Sequence, residues 1–304
     1  MKSGEPLHLN EEQVRQHLRM EDLIPAMEKA LIDFSAGKVT QPVRSVINVD
    51  PPGGFLGPMP ALTADGLGLK AVTFYPSNAE RGIPTHMATI FLVDPETGRP
   101  LGVMDGRLIT EMRTAAVSAA ATKLLAPRDA KVLAILGSGV QARSHAESLR
   151  LVRNFDEIRV WSRTPAHAKR FAEEFGAKAT SVEAAVRGAD VVVTATNSRM
   201  SILRGAWLKP GCHVNAIGAC RPNWRELDDE AMAKVVFVDS REGATKESGD
   251  VILSGATIYS ELGEALAGKV PLRADETTIF KSLGMAVEDI AAAMLVYRSA
   301  TVAL

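Results

Sequence analysis

The most specific chemical pattern in the sequence is the glycine-rich turn ILGSGVQA, in which Gly137, Gly139 and Ala142 follow the spacing G-x-G-x-x-A. In such turns the first glycine permits a tight turn and the second lets the backbone approach a pyrophosphate. The following helix offers unpaired N–H groups and the positive end of its dipole to phosphates. Glycines join strands to helices in many proteins, so the pattern gains weight from its flanks, which are typical of a strand and a helix. It predicts a dinucleotide-binding turn with contacts from Gly137, Ser138, Gly139, Val140 and Gln141.

The end of the next β-type run, EIRVWS, indicates which dinucleotide is bound. A site selective for NAD places Asp or Glu there, hydrogen-bonded to the ribose hydroxyls. This chain instead has Ser162, Arg163 and Thr164. An arginine with two neighbouring hydroxyls would bind a 2′-phosphate, which a carboxylate would repel. The sequence therefore favours NADPH as the cofactor, with NADH as the alternative if Arg163 is only a solvated loop residue.

A parallel sheet must position these residues, and the second part of the chain predicts one. From Lys131 onward, short apolar runs of β type alternate with helical or loop segments; the runs are KVLAILG, EIRVWS, DVVVTAT, CHVNAIG and VVFVD. Strands that alternate with helices require crossover connections and hence a parallel sheet. We expect an α/β protein in which residues 122–280 form a doubly wound, Rossmann-type dinucleotide-binding domain.

The first part of the chain predicts a smaller α+β domain over residues 1–121. Helical spacing near the N-terminus is followed, between Gln41 and about Asp105, by the β-rich pieces SVINV, LGLKAVTFY, ATIFLV and LGVM. A long helix is predicted from Met104 to Leu125, and a single helix from Lys281 to Ala300 is expected to pack back on this domain, which then includes residues 281–304. Because so small a sheet cannot bury both faces alone, we expect this substrate domain to form a homodimer interface.

Composition narrows the class of protein. A chain of 304 residues suggests two domains, at ~150 residues each. Its 35 Lys and Arg against 36 Asp and Glu give a net charge of −1, without the basic excess of a nucleic-acid binder. Cys212 and Cys220 are too few for a disulfide framework and have no metal-ligand spacing. No apolar run approaches ~18 residues and the start lacks a signal-peptide pattern, so we expect a cytoplasmic protein without metal, membrane or nucleic-acid partners.

Longer motifs carry a family resemblance that runs almost from end to end. They are QPVRS, KAVTFY, MDGRLITEMRTAAVSAAATK, LGSGVQA, VWSRT, RPNWRELDDE, KESGDVILSGA and KSLGMAVEDIAAA. In these segments the chain resembles the ornithine cyclodeaminase/mu-crystallin family, most closely its ketimine reductase branch. The resemblance implies a homodimer in which an N-terminal substrate and dimerisation domain and a nicotinamide-binding Rossmann domain flank a cleft.

The resemblance also implies which residues hold the substrate. In the family an arginine after Gln-Pro-Val, a lysine on a following strand and an arginine on the long helix bind the substrate carboxylate; here these positions match Arg44, Lys70 and Arg113. Guanidinium groups bind carboxylates bidentately, and Lys70 would otherwise be a poorly placed charge in an apolar strand. The alternatives are that Arg44 forms a surface ion pair and that Arg113 is an exposed helix charge.

Further cofactor contacts are implied by the resemblance alone. They fall on Thr85, His86, Arg113, Thr196, Ile217 and Ser282. For His86 we favour a hydrogen bond to cofactor or substrate, with proton transfer as the alternative.

One departure from the family bears on the reaction. Cyclodeaminases and related alanine dehydrogenases carry an aspartate where this chain has Cys220, in GACRPNWRELD. A thiol of pKa near ~8.5 is a poor base at neutral pH, so cyclodeamination is disfavoured and Cys220 is expected to be a small apolar residue lining the site. We expect an NAD(P)H-dependent reductase that converts carboxylated cyclic ketimines, such as piperideine-2-carboxylate and pyrroline-2-carboxylate, to cyclic amino acids. The alternatives are an alanine-type dehydrogenase or ornithine cyclodeaminase of the same fold, and a thyroid-hormone-binding protein.

Overall fold

The structure is a computed structural model that describes residues 5–273 and 275–302. The chain forms two compact units, one made of Met1–Arg113 with Met285–Leu304 and the other of Thr114–Gly284. The strands are β1 (Leu7–Leu9), β2 (Ile47–Val49), β3 (Gly54–Leu62), β4 (Leu67–Phe74), β5 (His86–Val93), β6 (Pro100–Asp105), β7 (Val132–Leu136), β8 (Glu157–Trp161), β9 (Lys178–Ala179), β10 (Val191–Thr194), β11 (His213–Ala216), β12 (Val235–Val238), β13 (Ile258–Glu261) and β14 (Thr278–Lys281).

The helices follow the same chain order. They are α1 (Glu11–His17), α2 (Met20–Ser35), α3 (Arg107–Leu125), α4 (Val140–Arg150), α5 (Pro165–Phe175), α6 (Val182–Val186), α7 (Asp229–Met232), α8 (Arg241–Glu247), α9 (Gly249–Ser254), α10 (Leu262–Leu266) and α11 (Ala286–Val302). The boundary between the two units falls inside α3.

The first unit is built on a six-stranded sheet in the order β1-β6-β5-β4-β3-β2. Its strands pair antiparallel except β1, which lies parallel to β6. The buried residues of β4 alternate along the strand, and α11 packs against that face, with α2 against α11. The approach of α11 is close, since a Cβ on Gly68 would lie 2.7 Å from Ile290. One face of the sheet therefore carries the core of this unit.

The sequence did not predict β3. Its segment GFLGPMPAL contains Pro58 and Pro60, and proline within a run argues against a strand because it cannot donate to the ladder. The structure accommodates both prolines because β2 pairs with β3 only from Gly54 to Leu56, which leaves one edge of the proline segment without a strand partner among the residues that the structure describes.

The second unit confirms the doubly wound α/β fold. Its eight strands run in the order β13-β12-β14-β11-β10-β7-β8-β9, and every pair is parallel. The order reverses between β7 and β10, which is where ligands bind in open sheets of this kind. Apolar side chains of five strands fill the core on one side, among them Leu136, Val192, Val214, Val236 and Ile279.

Two predicted helix starts are wrong. The helix predicted from Lys281 begins at Ala286, because Lys281 ends β14 and the next backbone N–H groups have other acceptors: Ser282 donates to the Ala216 carbonyl, and Leu283 donates to Asp239. The helix predicted from Met104 begins at Arg107, because Met104 still pairs with β5. In both places a strand of the core precedes the helix directly, and local spacing does not reveal the change.

Candidate functional site

A buried charge cluster lies in the first unit. Lys70, in the middle of β4, is 1% exposed, and its Nζ lies 2.5 Å from Oδ2 of Asp289 on α11. Arg113 on α3 is 4% exposed and places Nε 3.0 Å from Oδ1 of the same Asp289 and Nη1 2.7 Å from Oε2 of Glu288. Both carboxylates are completely buried. The expectation of an exposed helix charge at Arg113 is therefore excluded.

The cluster perturbs the ionisation of its members. Burial lowers the pKa of Lys70 to about 8; the Asp289 charge opposes this shift, and the charges of Arg113 and Arg44 add to it. Burial disfavours ionisation of Asp289, but Arg113 and Lys70 together hold its pKa below the usual value. A carboxylate between two cations thus keeps Lys70 a cation at neutral pH in a fully buried position.

Arg44 and His86 belong to the same neighbourhood. Arg44 is half-buried in the segment before β2, and its charge reaches Lys70. His86 is the first residue of β5 and follows the half-buried Thr85. Burial, with the charges of Lys70 and Arg113, lowers the pKa of His86 to about 4, so its imidazole is neutral at pH 7. Arg44, Lys70, His86 and Arg113 are therefore close enough for their charges to interact, and Thr85 adjoins His86 in the chain.

Asp289 and Glu288 were missed by the sequence reasoning. They lie side by side in GMAVEDIAAAMLV, where nearly every neighbour is apolar. Charges are buried only when they are paired, so an acid pair on an apolar helix and a lysine in an apolar strand are a signal that they meet. The family motif KSLGMAVEDIAAA contains both acids, but the resemblance marks the substrate-binding cations and not their internal partners.

In the second unit, the glycine turn lies at the carboxyl edge of the sheet, directly after β7. Gly137 has φ +127°, and a Cβ there would collide with the carbonyl oxygen of Ala195, which follows β10, so only glycine fits. Gly139 is the N-cap of α4, and a Cβ there would meet nothing within 4 Å. This open cradle at a helix N-terminus suits a phosphate group. Nearby, Oε1 of Gln141 is buried without a hydrogen-bond partner among the described residues.

The residues that follow β8 include an exposed arginine, Arg163. Ser138 donates from Oγ to Oγ of Ser162 over 2.9 Å, which joins the glycine turn to the end of β8. Arg163 is exposed and forms no hydrogen bond or ion pair within the described part of the chain. Thr164 is the N-cap of α5, but its side chain makes no capping hydrogen bond. The arginine and two hydroxyls therefore lie where a dinucleotide-binding sheet meets the ribose of the adenosine half.

Three further predicted contact residues follow three adjacent strands of the same edge. Thr196 comes after β10, Ile217 after β11 and Ser282 after β14. Ser282 is 1% exposed, yet its Oγ has no partner among the residues described. Unpartnered buried polar atoms are costly, so Oγ of Ser282 and Oε1 of Gln141 indicate a polar ligand at this edge. The residues fit a nicotinamide dinucleotide.

Over residues 5–273 and 275–302, no group of three or more His, Cys, Asp or Glu side chains could hold a metal ion. Within the same ranges, none of the helices has the length and hydropathy needed to cross a bilayer. The cytoplasmic location and the lack of nucleic-acid partners stay predictions.

Fold and site together define a two-unit α/β protein with a dinucleotide-type sheet and a buried charge cluster. The ornithine cyclodeaminase/mu-crystallin family model matches residues 5–303, so the chain belongs to this family. Ketimine reductase mu-crystallin of Mus musculus is 53% identical over 304 residues, which are 97% of each chain.

Two solved structures are similar over nearly the whole chain. One is Δ1-pyrroline-2-carboxylate reductase of Thermococcus litoralis in complex with NADH and L-proline, with TM-score 0.93, 36% identity and 98% of each chain covered. The other is an archaeal alanine dehydrogenase dimer with bound NAD, with TM-score 0.92, 34% identity and coverage of 98% of this chain and 97% of that chain.

Proposed function

We propose that the protein is an NAD(P)H-dependent reductase of ketimines that carry a carboxylate, with cyclic substrates such as piperideine-2-carboxylate and pyrroline-2-carboxylate. The observation that carries this proposal is the Lys70–Asp289–Arg113 cluster, a buried site with oriented cationic donors in a chain whose second unit has the cradle for a dinucleotide. The relatives support it, since one is named a ketimine reductase and another is a reductase solved with NADH and L-proline.

The cluster supplies substrate binding. Lys70 carries three N–H donors, and Asp289 is its ion-pair partner within the described residues, so donors remain for a substrate carboxylate or the imine nitrogen. Asp289 and Glu288 fix the guanidinium of Arg113 in one orientation. Arg44 adds a third cation on the side of β2. Preorganised charges of this kind need little rearrangement when the acid binds.

Reduction of the imine depends more on how the substrate is positioned than on acid–base catalysis. A protonated C=N bond is strongly electrophilic, so the enzyme must hold the acid group and present the imine carbon while it excludes water. When bound, the nicotinamide supplies the hydride. Nζ of Lys70, with a pKa of about 8, holds a proton at neutral pH and can donate it to the imine nitrogen, which leaves Lys70 neutral beside the protonated imine. His86 is neutral at pH 7, which supports hydrogen bonding over proton donation.

We further propose that NADPH is preferred over NADH. The support is Arg163, an exposed arginine without a partner among the described residues, between the hydroxyls of Ser162 and Thr164. The 2′-phosphate of NADPH would form an ion pair with Arg163. The ribose of NADH has a neutral hydroxyl at that position, so it would gain no ion pair.

We also propose a homodimer formed through the second face of the six-stranded sheet. Pro60, Leu69, Phe91 and Val103 lie side by side in register across β3, β4, β5 and β6, and all four remain partly exposed. A contiguous apolar row on a sheet face is typical of an interaction site. The archaeal alanine dehydrogenase of similar structure is a dimer.

A substrate panel tests the proposed activity. Purified protein should oxidise NADPH with piperideine-2-carboxylate and pyrroline-2-carboxylate, and do so more slowly with NADH. Alanine oxidation or proline formation from ornithine at higher kcat/KM would contradict the proposal in favour of the related activities. Tight thyroid-hormone binding without reduction of any imine would replace it with a binding role.

A further inference from the structure

A second buried charge network lies in the second unit, and the proposed reaction assigns it no role. Its centre is Glu226, which is completely buried. Oε1 of Glu226 accepts from the backbone N and the Oγ1 of Thr196 at 2.7 and 2.6 Å. Oε2 accepts from the backbone N of Gly218 and the Oγ1 of Thr194, both at 2.8 Å. One carboxylate therefore bonds to residues at the ends of both β10 and β11.

Two further buried side chains hold this carboxylate in place. Oδ1 of Asp250 accepts the backbone N–H groups of Glu226 and Leu227 at 2.7 and 3.0 Å. Lys281, at the end of β14, lies 3.1 Å from Oδ2 of Asp250 and donates to the Gly218 carbonyl oxygen. Asp250 and Lys281 are 0% exposed. The network thus connects three adjacent strand ends, those of β10, β11 and β14.

The same three strand ends carry three of the expected cofactor contacts. Thr196 is bonded directly to Glu226, Ile217 precedes Gly218, and Ser282 follows Lys281. The space around the carboxylate is filled, because a Cβ on Gly218 would lie 2.5 Å from Glu226. A shift of Glu226 would therefore disturb the ends of β10 and β11 directly, and the end of β14 through the contacts of Lys281 with Asp250 and Gly218.

We propose that Glu226, fixed by Asp250 and Lys281, is a positioning residue that sets the carboxyl ends of β10, β11 and β14 for the nicotinamide half of the cofactor. This inference rests on the proposed dinucleotide function and adds a role for residues outside the glycine turn. The glycine turn and Arg163 belong to the pyrophosphate and adenosine half, at the ends of β7 and β8. Loss of the network should therefore affect one half of the cofactor and spare the other.

The chemistry of the carboxylate makes it hard to replace. Four donors occupy its two oxygens, and two of them are backbone N–H groups that can only donate. Burial raises the pKa of Glu226, and Lys281 and the threonine hydroxyls oppose that rise. In Glu226→Gln the amide NH2 must face either the Thr196 or the Gly218 N–H group, so one strand end loses its acceptor. The substitution keeps the size of the side chain and changes only the bonding.

The test compares two ligands on the same variant. Binding of NADPH and of 2′-phospho-ADP-ribose, which lacks the nicotinamide, is measured by calorimetry on the full chain. We expect Glu226→Gln to raise the Kd for NADPH about tenfold and to leave the Kd for 2′-phospho-ADP-ribose within about twofold. Thr194→Val, which removes one hydroxyl bond to Oε2 of Glu226 at a residue outside the expected cofactor contacts, should produce a smaller change in the same direction and serves if Glu226→Gln does not fold.

A matched control is available at the opposite edge of the sheet. Asp190 precedes β10, and its Oδ2 accepts the backbone N–H groups of Lys131 and Val132, both at 2.7 Å. Asp190→Asn should change neither Kd. Equal weakening of both ligands by Glu226→Gln, or no weakening of either, would overturn the positioning role. If wild-type protein bound neither ligand, the proposed function itself would fail, a result distinct from the other two.

Discussion

Replacing Asp289 with asparagine removes the negative charge between Lys70 and Arg113 while keeping the size of the side chain. Asp289 raises the pKa of Lys70, against burial and the charges of Arg113 and Arg44. Without Asp289, the main remaining influences on the pKa of Lys70 are burial and the charges of Arg113 and Arg44, and all of them lower it. An opposite charge in contact shifts a pKa by about one to three units, so the pKa of Lys70 should fall from about 8 to below neutral pH.

The magnitude of the effect follows from the protonated fraction of Lys70. If the bound acid and imine need the ammonium form, a pKa of about 8 leaves roughly three quarters of the wild-type enzyme competent at pH 7.5. A fall of about one and a half units leaves roughly a tenth. We therefore expect kcat/KM of Asp289→Asn to be about tenfold lower at pH 7.5 and to recover much of this loss near pH 6.

The assay is the pH dependence of kcat/KM for an imino acid, with thermal unfolding to confirm that each variant folds. Wild-type activity should fall through a high-pH limb with a midpoint near 8, and the limb of Asp289→Asn should lie at lower pH. Glu288→Gln is the matched control, because Glu288 pairs with Arg113 and not with Lys70, so its midpoint should stay near the wild-type value. A uniform loss in Asp289→Asn with an unmoved midpoint would refute the role of Asp289 in Lys70 ionisation.

Three other predictions concern cofactor choice, assembly and acid stability. Arg163→Ala should raise the KM for NADPH by about tenfold or more and change that for NADH little, because only NADPH has the 2′-phosphate; equal losses would assign Arg163 another partner. Phe91→Asp should convert the proposed dimer to a monomer in sedimentation velocity, since it places a charge in the apolar row; a dimer that persists would put the interface elsewhere. Burial lowers the pKa values of three histidines to between about 3 and about 4; the three are His86, His145 and His213. Below pH ~6.5 these histidines therefore take up protons in the unfolded chain but not in the folded chain. The free energy of unfolding should therefore fall between pH 6.5 and 5, with a slope that approaches about 1.4 kcal/mol per histidine for each pH unit at the acid end, and denaturant titrations that give equal values at pH 7 and 5 would contradict this.

The sequence predicts those parts of the protein whose signals are local. The glycine turn needs only its own spacing and flanks, and the five apolar runs after Lys131 lie where β7, β8, β10, β11 and β12 form. Pro58 and Pro60 conceal β3 because proline within a run argues against a strand, even though β3 pairs with β2 and β4, its neighbours in the chain. Likewise, β14 is four residues long and wholly buried, so it lacks the alternation that distinguishes a strand from the start of a helix.

The residues of the candidate site also divide into those that the sequence predicts and those that only the fold brings together. The cations were predicted, because family motifs mark Arg44, Lys70 and Arg113 individually. Their buried acids were not, because the pairing of Lys70 with Asp289 joins residues on β4 and α11 that only the folded unit brings together. The role of Glu226 also depends on strand order, since its four hydrogen bonds go to the ends of two neighbouring strands.

The most direct test of the central claim is the preference for a carboxylated imine over the same ring without the acid. We expect wild-type protein to reduce piperideine-2-carboxylate far faster than unsubstituted piperideine. Arg44→Met should lower kcat/KM for the acid by about ten- to hundredfold, the scale of one charged hydrogen bond of ~1.5–3 kcal/mol, and should lose much of the preference while cofactor affinity stays intact. Misfolding would depress both substrates together. A wild-type enzyme that reduces both rings equally well would contradict a carboxylate-binding site at Arg44, Lys70 and Arg113.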